Sequence, residues 1–126
     1  MDKVTKLTLD ELMRRKEQML ETKKTRKKKE LYIESLDASI TITAPDRTMV
    51  TDTLGMPDYD KAAYLAYECV TEPSMKKAAK EFGCDIPMNV VDIVFEPGEV
   101  EQISTFALEL AGYKEGKVKP VEEVKN

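Results

Sequence analysis

The stretch LYIESLDASITIT, residues 31–43, decides the fold because apolar and polar side chains alternate along it with a period of two. Leu31 and Ile33 alternate before a short linker at residues 35–38, and Ile40 and Ile42 alternate with polar side chains after it. This pattern predicts a β-hairpin with one apolar face. A lone hairpin is only marginally stable in water, so we expect helices to cover that face.

The sequence after the hairpin predicts short helices separated by proline and glycine. They lie between Pro45 and Gly55, over residues 58–71, between Ser74 and Gly83, and between Pro97 and Gly112. The apolar run at residues 88–95 fits either a buried helix or a strand, and we favour a helix because its neighbours are helical.

On the N-terminal side, residues 8–11, TLDE, fit a capping box in which Glu11 reaches back to the backbone of Thr8. Apolar residues then recur at helical spacing and predict an amphipathic helix over residues 8–22. Such a helix either docks on its own domain, enters a groove of a partner, or covers a groove as a lid that a partner helix displaces. The side chains that we expect to bind a partner are Leu9, Leu12, Met13 and Leu20.

These elements predict an α+β fold, a mainly α-helical single domain with one N-terminal β-hairpin packed on short helices. Residues 1–30 form the capped amphipathic helix and a basic arm, with 11 Lys or Arg against 6 Asp or Glu. Residues 31–112 form the hairpin and the helical core. Residues 113–126 offer little to bury and are predicted to be a flexible C-terminal tail.

The composition argues against enzymatic chemistry. The chain has no histidine, and Cys69 and Cys84 lie 15 positions apart without a CxxC pair. Its five glycines are isolated, which excludes a glycine-rich phosphate loop. We therefore expect no catalytic residue, metal site, cofactor or small-molecule substrate. No apolar segment has the length of a membrane span, so we expect a cytoplasmic protein that does not enter a membrane.

The basic run at residues 23–29 leaves nucleic-acid binding as an alternative function. Residues 78–84 resemble the middle of a helix-turn-helix, but residues 87–95, which would enter the major groove, contain no Lys or Arg. Their only polar side chains are Asn89 and Asp92, so we do not expect DNA to bind there. The alternative is therefore a small accessory or regulatory protein that uses its basic arm.

Several strings of residues resemble, in number and order, one known family, the XkdN-like tail assembly chaperones of phages and defective prophages with contractile tails. The strings are LDEL at 9–12 with the following Arg-Lys run, SLD at 35–37 leading to ITI at 40–42, APDR at 44–47, FEPGE at 95–99, LAGY at 110–113, and VEEVKN at 121–126. None is a catalytic motif. The pair FEPGE and LAGY carries the most weight.

The resemblance implies a non-enzymatic assembly factor that binds the tape measure protein and keeps it soluble while tail tube subunits polymerise around it. Such a factor works in the cytoplasm of the host bacterium and is absent from the mature virion. The tail tube protein is a second candidate partner, because related families append a domain that recruits it. Whether the chain forms a homo-oligomer stays open, because no heptad run is long enough to predict one.

Overall fold

The computed structural model describes residues 4–124 and has the α+β fold predicted from the sequence. The described residues form two compact units. The larger unit comprises Arg26–Tyr113, and the smaller one comprises the chain before and after it. The first three residues of the predicted segment 1–30 and the last two of the predicted segment 113–126 lie outside the described range.

The predicted hairpin is confirmed in the larger unit. Strand β1 (Lys28–Ile33) pairs antiparallel with strand β2 (Ala38–Thr43), so that Leu31 lies opposite Ile40. A 3-10 turn at Glu34–Leu36 joins the strands, and Asp37 closes it in the left-handed region at φ 47°. Strand β1 begins three residues earlier than the predicted hairpin, because Lys28–Glu30 continue the backbone ladder with exposed side chains.

A third strand, which the sequence did not predict, follows the long central helix. Strand β3 (Val70–Glu72) pairs antiparallel with β2, giving the strand order β1-β2-β3. The prediction of helix up to residue 71 is therefore wrong for its last residues. Val70 is buried against the core, and the Thr71 hydroxyl lies 2.8 Å from the Thr43 hydroxyl, so tertiary contacts favour the extended conformation.

The predicted helices of the larger unit are all present. They are α3 (Arg47–Asp52), α4 (Asp58–Cys69), α5 (Met75–Glu81), α6 (Val90–Val94) and α7 (Pro97–Leu110). A 3-10 turn at Pro87–Asn89 precedes α6, so the helical interpretation of residues 88–95 is confirmed. Asp46 and Ser74 cap α3 and α5 by accepting backbone N–H groups at 2.8 and 3.2 Å.

The core of the larger unit combines the apolar face of the sheet with helices α4, α6 and α7. Its largest fully buried side chains include Ile42 from β2, Leu65 from α4 and Met75 from α5. Helix α4 packs against α7, whose Val100 and Ile103 are also buried. The sheet is thus covered on one face, as expected for a hairpin that cannot be stable alone.

The smaller unit contains helices α1 (Leu9–Arg14), α2 (Lys16–Lys24) and α8 (Val121–Val124). Thr8 caps α1, accepting the Glu11 N–H at 3.2 Å as predicted. The second half of the predicted capping box is wrong, because the Glu11 carboxylate accepts from Arg14 and Arg15 at 2.6 and 2.9 Å. The predicted single helix is divided at Arg15, and the predicted flexible tail includes the helical turn α8.

Within residues 4–124, the structure has no helix that is both long and apolar enough to cross a membrane.

Candidate interaction surfaces

The side chains predicted to bind a partner are all exposed on the first two helices. Leu9, Leu12 and Met13 lie on α1, and Leu20 lies on α2. Leu9 is 71% exposed. Residues three and four positions apart share a helix face, so Leu9 forms one apolar surface with Leu12 and Met13. The structure therefore groups three of the four residues on one face, and places the fourth on the following helix.

The side of α2 carries a shallow cavity of about 260 Å³ that the sequence did not predict. Met19 supplies its apolar side chain, and polar or charged residues surround it. The lining residues are Arg15, Gln18, Met19, Thr22 and Lys23. A flexible thioether next to long polar side chains adapts easily to a second apolar surface.

Charged residues hold the surface of α1 in a defined arrangement. Hydrogen bonds from Arg15 and then Arg14 lower the pKa of the Glu11 carboxyl below its ordinary value. The carboxylate therefore stays ionised at neutral pH between two guanidinium groups. Apolar contacts and a charged cluster thus lie side by side on one short helix, which suits an amphipathic partner.

The basic run at residues 23–29 is divided among different elements. Lys23 and Lys24 end α2, whereas Lys28 and Lys29 begin β1. Between them, the Arg26 guanidinium donates to the Ala44 backbone oxygen at 2.8 Å. The Lys28 ammonium lies 3.9 Å from the Glu72 carboxylate. All seven residues of the run are exposed, and the last two, Lys28 and Lys29, also form the start of β1.

A second surface, missed by sequence analysis, is a groove of about 450 Å³ between β1 and α7. We call it the edge groove, because β1 is an outer strand of the sheet and no described residue pairs with its free side. Its lining residues are Lys29, Glu30, Leu31, Tyr32, Ile33, Glu34, Glu96, Gly98, Glu99, Gln102, Ile103 and Phe106.

The backbone polarity of β1 follows from one hydrogen bond at its start. The Ala44 N–H donates to the Lys27 oxygen at 2.8 Å, so Lys27 points its polar groups toward β2. Along an antiparallel strand, the N–H and C=O groups of successive residues point alternately to one side of the strand and to the other. Lys28, Glu30 and Tyr32 therefore point their N–H and C=O groups away from β2 and toward the edge groove.

The two ends of the edge groove differ in charge. At one end the Lys29 ammonium lies 5.9 Å from the centre of the Phe106 ring. At the other end Glu99 accepts the Ser35 N–H at 3.0 Å, the Ser35 hydroxyl at 2.7 Å and the Glu96 N–H at 3.0 Å. The Glu96 and Ser35 bonds lower the pKa of the Glu99 carboxyl. This end therefore stays negatively charged.

Among residues 4–124, no group of three or more acidic, cysteine or histidine side chains is placed to hold a metal ion. Burial raises the pKa of the Cys69 thiol to about 12, so it stays protonated and unreactive at neutral pH. Burial and a hydrogen bond to Asp92 raise the pKa of Tyr59 to about 12.

Comparison of the chain with models of known protein families, with curated proteins and with solved structures gives no match.

Proposed function

We propose that this protein is a phage tail assembly chaperone that binds the tape measure protein, keeps it soluble and promotes polymerisation of the tail tube around it. The observation that carries this proposal is the exposed apolar surface of α1 and α2, formed by Leu9, Leu12, Met13 and Leu20. The order of the strings from LDEL at 9–12 to VEEVKN at 121–126 supports the same assignment.

The physical basis is the pairing of amphipathic helices. A tape measure protein exposes long amphipathic helices before the tube encloses them, and an exposed apolar patch is prone to aggregate. Burial of one leucine or methionine side chain contributes about 1.5–3 kcal/mol. Several such contacts on α1 and α2 provide a reversible cover, and Met13 and Met19 let one surface fit different segments of the helix.

This function requires no enzymatic step, cofactor or small-molecule substrate. The chaperone acts in the cytoplasm of the host bacterium and leaves before the virion is mature. The tail tube protein is the second partner in this scheme, since its subunits must replace the chaperone on the tape measure protein.

The test is co-expression of the full chain with the tape measure and tail tube proteins encoded near it, followed by solubility assays and pull-down. We expect the tape measure protein to be soluble only with the chain and to stay bound at high salt, because apolar contacts are weakly screened. Double substitution Leu9→Asp and Met13→Asp should abolish solubilisation. Leu54→Asp is the matched control, since Leu54 is 73% exposed but lies in the larger unit.

Two results would overturn the proposal. One is a tape measure protein that stays insoluble in the presence of the chain. The other is a chain that retains DNA at low salt and releases it at high salt, which is the behaviour of phosphate contacts. That second result would favour the basic residues at 23–29 as the functional segment.

A further inference from the structure

The free edge of β1 carries a second interaction surface that the chaperone proposal does not use. We infer that β1 pairs antiparallel with β1 of a second copy of this chain, joining the two three-stranded sheets into one. The inference goes beyond tail assembly and does not depend on it. It rests on the backbone direction, the charge pattern of the strand and the edge groove beside it.

The two edges of the sheet differ in their capacity to pair. Strand β3 is three residues long and is followed by Pro73, which lacks a backbone donor. Short strands and proline are common ways to protect a sheet edge. Strand β1 is six residues long and contains no proline. Its outer side therefore keeps a row of unpaired backbone groups.

Backbone geometry limits how two copies of β1 can pair. Within β1 only Lys28, Glu30 and Tyr32 belong to the set that points outward, and outward groups must meet outward groups. Glu34 follows the strand in the 3-10 turn, where its C=O accepts the Asp37 N–H. A two-fold axis between the copies can therefore pass only through a residue of the strand, not between two residues. The registers that pair at least three residues of each strand are the four centred on Lys29, Glu30, Leu31 or Tyr32.

The charges select one of these registers. A two-fold axis at Glu30 places Glu30 opposite Glu30 of the second copy. An axis at Tyr32 places Glu30 opposite Glu34 of that copy. Centring on Lys29 pairs Lys28 with Glu30 of the second copy but places Lys29 opposite Lys29 of that copy. Like charges directly opposite each other destabilise a sheet. Centring on Leu31 instead brings no like charges together. It also places Lys28 near Glu34 of the second copy, just beyond the end of the strand, and symmetry forms this contact twice.

The same register suits the face that α7 covers. Leu31 meets Leu31 of the second copy there, and Lys29 of the second copy lies beside Ile33, toward the acidic end of the edge groove at Glu99. The second strand thereby occupies the groove of about 450 Å³ and covers the exposed ring of Phe106. Backbone pairing, charge and shape therefore favour the same arrangement.

Lysine on an edge strand ordinarily discourages pairing. Lys28 and Lys29 begin β1, Glu30 follows them and Glu34 comes directly after the strand, so opposite charges meet when a second copy runs antiparallel. A parallel copy would place lysine beside lysine. The charge pattern thus specifies one partner and excludes disordered edge-to-edge association.

The first experiment is sedimentation velocity of the full chain at low salt over a wide concentration range. We expect a concentration-dependent dimer. Glu34→Lys should weaken dimerisation by about tenfold or more, because two attractive pairs become repulsive. Lys28→Glu should weaken it similarly, and the double variant Lys28→Glu with Glu34→Lys should restore it. A loss of the Lys28–Glu72 contact alone would not be rescued in this way.

A backbone variant provides an independent test. Glu30→Pro removes an N–H that points away from β2, so the hairpin keeps its ladder while the outer edge loses a donor. Circular dichroism verifies that the variant is folded, and the charge variants decide the question if it is not. Amide exchange should show the Glu30 and Tyr32 N–H groups protected only at high protein concentration.

A chain that is monomeric at every concentration would overturn the inference. So would a dimer that is unchanged in both the Glu34→Lys and the Glu30→Pro variants, since its interface would lie elsewhere. Because neither measurement involves the tape measure protein, these outcomes are distinct from failure of the chaperone proposal.

Discussion

Ser35 and Glu99 are 64 positions apart and are joined by two hydrogen bonds, from the Ser35 N–H at 3.0 Å and from its hydroxyl at 2.7 Å. The same carboxylate accepts the Glu96 N–H in a capping box at the start of α7. One side chain therefore ties the turn of the hairpin to the first turn of the helix. It also defines the acidic end of the edge groove.

Replacement of Glu99 by glutamine should lower the melting temperature at neutral pH, because the neutral amide accepts these hydrogen bonds less strongly. The native bonds depress the pKa of this carboxyl below its ordinary 4.5. A carboxyl whose pKa is lowered by folding stabilises the fold at pH values above its pKa in the unfolded chain. This contribution is lost as the pH falls through its pKa in the folded protein. The difference in melting temperature between native and Glu99→Gln proteins should therefore shrink as the solution becomes strongly acidic.

Ser35→Ala is the control for this effect. It removes the hydroxyl bond and keeps the bond from the backbone N–H, so its effect should have the same sign and be smaller. If the difference in melting temperature between the native and Glu99→Gln proteins stays constant from neutral to strongly acidic pH, the Glu99 charge does not stabilise this contact.

The Thr43–Thr71 hydroxyl contact at 2.8 Å should stabilise the pairing of β3 with β2. Thr43→Val leaves the Thr71 hydroxyl without this partner and should cost about 1 kcal/mol of unfolding free energy. The double variant Thr43→Val with Thr71→Val should lose much less unfolding free energy than the sum of the losses in the two single variants. Urea unfolding of the two single variants and the double variant gives this coupling energy, and strict additivity would contradict it.

The local pattern of the sequence predicts most elements and fails where tertiary contacts decide. Alternation in residues 31–43 and the caps at Thr8 and Ser74 are visible in the sequence. Val70–Glu72 forms a strand because β2 offers a partner; the β-branched Val70 and Thr71, and Glu72 before Pro73, are only weak local signals of an extended chain. No local pattern indicates the division at Arg15, where the Arg15 N–H still donates to the Glu11 oxygen and the Arg15 oxygen still accepts the Met19 N–H.

The two candidate surfaces differ in the same way. An amphipathic repeat identifies Leu9, Leu12 and Met13 without a structure, because helical spacing alone places them on one face. The edge groove depends on the order of the strands and on α7 lying beside β1.

Leu65 is fully buried at the centre of α4, so Leu65→Ala should reduce the unfolding free energy by about 2–5 kcal/mol. The loss combines the missing apolar contacts with the cavity left behind. Leu54→Ala is the matched control, because Leu54 is exposed and its truncation should change the free energy by less than about 0.5 kcal/mol. Chemical denaturation measures both, and equal effects would contradict the assigned core.

The two cysteines should differ sharply in reactivity toward a thiol reagent. Cys69 is buried, and its pKa of about 12 leaves almost no thiolate at neutral pH, whereas Cys84 is half-buried. Because the thiolate is the reactive form, the native protein should expose one reactive thiol and the urea-unfolded protein two. Cys84→Ser should then abolish the native signal, and Cys69→Ser should leave it unchanged. Rapid native labelling of the Cys84→Ser variant would show that the core around α4 opens readily, contrary to the packing of Cys69 with Leu65 and Val100 in one buried cluster.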